Sequence, residues 1–311
     1  MKSPKVIAGM IGVFVVSFMF FLYLSFPYGV LKEAISTSIE TATGITVRME
    51  SFGPGFPLGL SAEGVEVYKG SSPRVKLESV SVKVSLLQML MFRLGAGIHL
   101  RDQKGGSVDA GLGYGLGSVL SGSVGLPSYL SITAKSFVVD SLAALAIYMV
   151  VDVGAAGASV GPLLGKLGVK GKISGVVDMN LDNANPAQSS GTAKISLSDA
   201  VLVLSDPSLN FPDQSFKTAT VSASAAGGAL TIDPSTRFTT SDLELGADGK
   251  VTLKPMFSAS VLGLKAFLHL KGALGEQYGM LVDAMSGGLS KEGSINVQVS
   301  GTLAAPQFNP I

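Results

Sequence analysis

Catalysis needs nucleophiles, general bases or metal ligands within reach of one another, and this chain offers few. Its 311 residues include no cysteine and two histidines, His99 and His269. Without cysteine there is no thiol catalysis, disulfide or Cys-ligated metal. Each histidine lies in a run that alternates apolar and polar residues, with no carboxylate at ligand spacing beside it, so both read as strand histidines. Gly161–Lys166, GPLLGK, superficially resembles a phosphate loop, but it has three residues between its glycines where four are needed, and Leu167 stands where Ser or Thr would hold magnesium. The glycines at 111, 113, 115 and 117 do not spell a dinucleotide-binding fingerprint and read as strand or bulge glycines. Asp178, Asp182 and Asp199 are scattered. Asp182 with Asn183 and Asn185 resembles part of a calcium loop without its closing glutamate, so a simple Asn/Asp turn is the better reading. No nucleophile–base pair can be named, and the expectation is a non-enzymatic protein without cofactor or metal.

The elements that would position any site are legible from patterning. Nineteen residues, Val6–Leu24, carry no charge, and at about 1.5 Å per residue a helix over them would reach about 28 Å, close to the hydrocarbon thickness of a bilayer. Lys2 and Lys5 precede this stretch, and the next basic residue is Lys32. The expectation is a membrane protein with a single span and a cytoplasmic N-terminus, anchored through Val6, Ile7, Val13, Phe14, Phe18, Phe21 and Leu24. Tyr23, Phe26 and Tyr28 would then mark the headgroup region. A cleaved signal peptide is disfavoured because the apolar run is long and no A-x-A-like site follows. Residues 1–26 would form the tip and anchor, and residues 27–311 a β-rich domain outside the cytoplasm, which the resemblance described below would place in the periplasm.

After Pro27, Leu31, Ile35 and Ile39 share one helical face, so a short amphipathic helix is expected over residues 28–43, ended by Gly44, with strands from residue 45. From there the period is two. Val80, Val82, Val84 and Leu86 alternate with Ser81, Lys83 and Ser85, after a phase slip of one residue following Leu77. Val108, Ala110, Leu112, Tyr114 and Leu116 alternate with glycine or polar residues, and Ala193, Ile195 and Leu197 with Thr192, Lys194 and Ser196. Leu264, Ala266, Leu268 and Leu270 form another such face, as do Ile295, Val297 and Val299. Further short helices are expected at Ser141–Met149, Val160–Leu167 and Glu276–Met285. Charged residues are 14% and the net charge is +1, which gives no electrostatic case for a nucleic-acid partner.

Several stretches carry a resemblance. SFPYGVLKEAI, TGITVRMESFGPGFPLGLSAEGVEVY, GVKGKISGVVDMNLDNANPAQSSGTAKISLSDAVL and the ending INVQVSGTLAAPQFNPI together resemble the type II secretion system protein N family. Phe26–Lys32 and Gly53–Leu60 are its most recognisable parts, whereas GKISG and GTLAAPQF also resemble the AsmA and TamB class. The resemblance implies an inner-membrane-anchored component of the secretion system, with a long, open, U-shaped antiparallel sheet and a few short helices. Its partners would be other secretion components. The AsmA-like alternative implies a protein that holds phospholipid or other lipid in a hydrophobic β groove.

Such a groove would be lined by Val82, Val84, Leu112, Tyr114 and Leu116, by Ile195 and Leu197, and by Leu264, Leu268, Ile295, Val297 and Val299. A closed sandwich would show the same alternation. Pattern alone therefore leaves a lipid groove and a dry core both open.

Overall fold

The computed structural model describes residues 17, 21, 23, 25–55, 58–68, 73–85, 93–115, 127–139, 167–182, 185, 188–204, 211–285, 290, 291 and 293–311. The fold is mainly β. A helix, α1 (Tyr28–Thr43), leads into β1 (Thr46–Arg48), β2 (Ser51–Gly55), β3 (Gly59–Tyr68), β4 (Pro73–Val84), β5 (Arg93–Asp102), β6 (Ser107–Gly115) and β7 (Tyr129–Val138). Then come β8 (Leu167–Asn180), β9 (Ser190–Leu204), β10 (Gln214–Ser215), β11 (Thr218–Ala226), β12 (Ala229–Ile232), β13 (Arg237–Thr239) and β14 (Leu243–Thr252). The chain closes with β15 (Val261–Leu270), helix α2 (Gly272–Met285), β16 (Ser290–Lys291), β17 (Ser294–Thr302) and β18 (Ala305–Pro310).

All of these strands belong to one 18-stranded sheet, and every pairing in it is antiparallel. The chain meanders, each long strand pairing with the next. Short segments pair in tandem along one partner, as β1 and β2 do on β3, and β12 and β13 on β11. Among the described residues no ladder joins β18 to β1, β2 or β3.

Bulges bend it along one line. The phase slip after Leu77 is a register shift between β4 and β5, met on β3 by Gly64, whose φ of 58° favours glycine. Further shifts follow on β7, where Ser136 has φ 48°, and between β8 and β9, where Asp199 has φ 51°. Apolar residues on either side of each bulge therefore keep to one face.

Two apolar clusters lie near the end of the sheet where β5 turns into β6. In the first, Phe137 is 1% exposed and packs with Ala62, Val65, Val75 and Leu77. In the second, Leu274 and Tyr278 of α2 are buried against Leu243, with Leu202, Phe211, Leu268 and Leu270 around them. The helix expected at Glu276–Met285 thus exists as α2, starts one turn earlier and covers the apolar face there. The helix expected at Tyr28–Thr43 is α1, and Gly44 ends it in the left-handed conformation, φ 67°, donating its N–H to Glu40 O at 2.8 Å.

The membrane anchor is corrected. Among the described residues no helix is long and apolar enough to cross a membrane, so the single-pass span, the cytoplasmic N-terminus and the inner-membrane localisation built on it are not supported. Of the expected anchor residues, Val6, Ile7, Val13, Phe14, Phe18 and Leu24 lie outside the described residues, while Phe21 is 65% exposed. The aromatics assigned to the headgroup layer have a different environment. The Tyr23 hydroxyl lies 2.6 Å from Gly55 O and 2.5 Å from Gly59 O and accepts the Gly59 N–H, while Tyr28 stacks edge-on with Tyr23, Phe26 and Phe52. They dock on the first hairpin of the sheet. Burial in that cluster, with Tyr23 beside it, raises the Tyr28 pKa. The short helix expected at Ser141–Met149 lies outside the described residues, and so does Val160–Leu167 except Leu167, which begins β8.

Candidate functional site: one apolar face across the sheet

Directly opposed residues in an antiparallel ladder share a face. Starting at Leu60 on β3, the register passes to Val82, Ile98, Ala110, Ile132 and Val177. It continues through Ala193, Ala223, Ile232, Gly249, Leu264, Val299 and Phe308 on β18. This row runs from β3 to β18 without a polar side chain. At about 4.8 Å per strand it covers an arc of roughly 58 Å.

None of these thirteen residues is buried. In a sandwich the central row would be the driest part of the core. Here Val82 is 36% and Phe308 51% exposed, and the residues between them are half-buried. Only fifteen apolar side chains among the described residues are buried.

Most of the residues expected to line a groove fall on this face. Leu112 and Tyr114 pair with Ala96 and Leu94; they are half-buried, as are Ile195, Leu197, Leu264, Ile295 and Val299. Val82 and Val84 are its exposed rim on β4. Leu268 belongs to the cluster under α2, and Val297, 9% exposed, is buried. Leu116 lies outside the described residues. The face is therefore filled near Phe137 and under α2, and Ala225, Val251 and Leu262 are buried on it toward the other end of β11, β14 and β15, while its β4 side, at Val82 and Val84, is exposed.

The opposite face carries the polar partners, and it corrects the reading of His99. Its Nδ1 lies 2.6 Å from Asp109 Oδ1 across the β5–β6 hairpin. The carboxylate absent nearby in sequence arrives because the two residues flank the turn symmetrically, a signal available from pairing the two alternating runs. Ser81 stands opposite His99 on β4, so serine, histidine and aspartate follow one another along a row. This is not a hydrolytic triad. No Ser81–His99 hydrogen bond exists among the described residues, the His99 and Asp109 side chains are 40% and 54% exposed, and the strand N–H groups beside them are engaged in ladders rather than aimed at an oxyanion. His269 Nε2 sits 3.3 Å from Asn296 Oδ1, with its ring against Phe267.

Around His99 the polar face is hollowed to about 520 Å³ over Gly97 and Gly111. A Cβ on either glycine would meet nothing closer than 3.8 Å, so packing does not demand them, although each costs about 0.5–1 kcal/mol relative to alanine. Gly106 is the opposite case, since a Cβ there would fall 2.3 Å from Ser136 O. Asp102, which the sequence reading passed over, lies beside it: 4% exposed, it accepts from Lys104 N at 2.7 Å, Gly106 N at 2.9 Å and Val138 N at 2.7 Å. Its carboxylate ties the β5–β6 turn to β7.

Several other acidic residues make local contacts. Asp182 Oδ1 accepts from Asn185 N at 2.8 Å, the Asn/Asp turn expected there, and Lys172 lies 3.6 Å from Asp199. Glu244 contacts Arg237 at 3.1 Å and also pairs with Lys271, and the Lys271 hydrogen bond holds its carboxyl below the usual glutamate range. Among the described residues no group of His, Asp and Glu side chains could hold a metal ion. A scan against family models and searches of curated proteins and of solved structures found no match to this chain.

Proposed function

We propose that the protein is a non-enzymatic lipid-handling protein, which lays acyl chains along the apolar face from the rim at Val82 and Val84. The observation that supports this reading is the central row in which no member is buried. Contiguous exposed apolar surface beyond a few hundred Å² is uncommon unless something covers it. An acyl chain suits the surface: at about 0.8 kcal/mol per buried CH₂, roughly a dozen methylenes would gain on the order of 10 kcal/mol before the cost of ordering the chain. Alternating Val, Leu, Ile and Ala side chains present a smooth surface with no polar group to desolvate.

A second reading follows from the resemblance to type II secretion protein N: an interaction component of that apparatus, docking through the sheet margins. Among the described residues β18 pairs only with β17, and Phe308, 51% exposed, and Ile311, 62% exposed, favour this reading. Pro306 and Pro310 on the same strand weigh against edge pairing, because proline supplies no ladder N–H.

Fluorescence titration of the full chain with a fatty-acid analogue tests the lipid reading. The analogue should bind and be displaced by phospholipid but not by the same headgroup without acyl chains. Ile98→Asp and Ile132→Asp should weaken binding at least tenfold while cooperative melting is kept. Displacement by the bare headgroup, or unchanged affinity in both variants, would overturn it.

A further inference from the structure

The hollow on the polar face is a second site, separate from the apolar face and independent of the lipid reading. Its floor is strand backbone left bare by Gly97 and Gly111. A glycine in a strand interior that packing does not demand marks a place where a ligand can approach the backbone closely. Tyr129 stands at one side, its ring 3.8 Å from the position of a Cβ on Gly111, and so offers an apolar plane beside the floor. Ser81, Ser131 and Thr133 line the remainder, and none of their hydroxyls is engaged in a side-chain hydrogen bond among the described residues. Lys83 and the His99–Asp109 pair complete the lining.

The geometry points to a carbohydrate-binding site, taking a neutral mono- or disaccharide with a pyranose ring laid over Gly97 and Gly111. A sugar ring has C–H faces that suit an aromatic plane, and an equator of hydroxyls that both donate and accept. The lining supplies both: Tyr129 for the face, and three hydroxyls, a lysine donor and a carboxylate acceptor for the equator. Asp109 argues against an anion, because its carboxylate lies inside the lining and offsets the charge of Lys83. The volume of about 520 Å³ lies within the usual range for small-molecule sites of about 300–1,000 Å³. The hollow is open on one side, so the affinity should be weak.

Saturation-transfer NMR on the full chain, with a panel of neutral mono- and disaccharides at about 10 mM, chosen for affinities around a millimolar Kd, tests this. At least one sugar should receive saturation. Gly111→Val, which fills the floor, and Tyr129→Ala should each reduce the transfer at least fivefold, with cooperative melting as the control for folding. Inorganic phosphate and a sugar phosphate serve as the anion arm, and they should bind no better than the neutral sugar. Ile132→Asp, on the apolar face and outside the lining of the hollow, should leave sugar binding intact, which separates failure here from failure of the lipid reading. Absence of transfer from every sugar, transfer unchanged in Gly111→Val, or phosphate binding that Lys83→Gln removes while sugars stay unbound would overturn the proposal.

Discussion

Asp102 shows how one side chain can set the course of several strands. Three backbone N–H groups from two segments point at its carboxylate, which is 4% exposed. Hydrogen bonds to a charged group are each worth about 1.5–3 kcal/mol, and an orphaned buried donor adds its own penalty. Asp102→Ala is therefore expected to cost about 2–4 kcal/mol, measured by urea unfolding, whereas Asp109→Ala on the exposed rung should cost under about 1 kcal/mol. Equal losses in the two variants would show that Asp102 does not hold the turn. Asp102 was not legible in the sequence, because an aspartate before QKGG is an ordinary turn residue until Val138 arrives from 36 residues away. His99 was half legible: its strand follows from alternation, but its partner follows only from the hairpin register.

The strands themselves were the most legible elements, since a period of two survives any arrangement of the sheet. The slip after Leu77 was visible for the same reason, and Gly64 on the facing strand makes it possible without moving either apolar set to the polar face. Gly44 and the Leu31, Ile35 and Ile39 stripe gave α1 its boundaries. The start of α2 was missed by four residues, because Gly272 and Gly275 are poor helix formers and the helix gains its stability by burying Leu274 and Tyr278. Glu244 sits on β14 beneath this end of the sheet, and Lys271, the residue before α2, holds its pKa down. A carboxyl with a lowered folded-state pKa contributes stability above its unfolded value, near 4.3, and loses it as pH falls through the folded value. The melting temperature should therefore drop more steeply from about pH 5 to about pH 3 in the native chain than in Glu244→Gln. Parallel curves would show that the Lys271 contact contributes no pH-dependent stability.

At the scale of the whole molecule, the sequence could specify apolar strand faces but not what covers them. Leu112 and Ile195 read identically whether a second sheet faces them or nothing does. Register joins those faces into one row from Leu60 to Phe308, and the half-burial along that row is what supports the proposed acyl-binding face. The expected membrane anchor shows the reverse problem: a run of uncharged residues is informative about composition, while the contacts of Tyr23 and Tyr28 with the first hairpin were set by packing that hydropathy does not describe. The most direct measurement is mass spectrometry of lipid retained by the gently purified full chain. Lipid should co-purify near one or a few molecules per chain, be lost from Ile98→Asp and Ile132→Asp while both still melt cooperatively, and remain in Asn296→Ala and Gln298→Ala on the polar face. A folded native chain free of lipid, or equal lipid in all four variants, would contradict an acyl-binding apolar face.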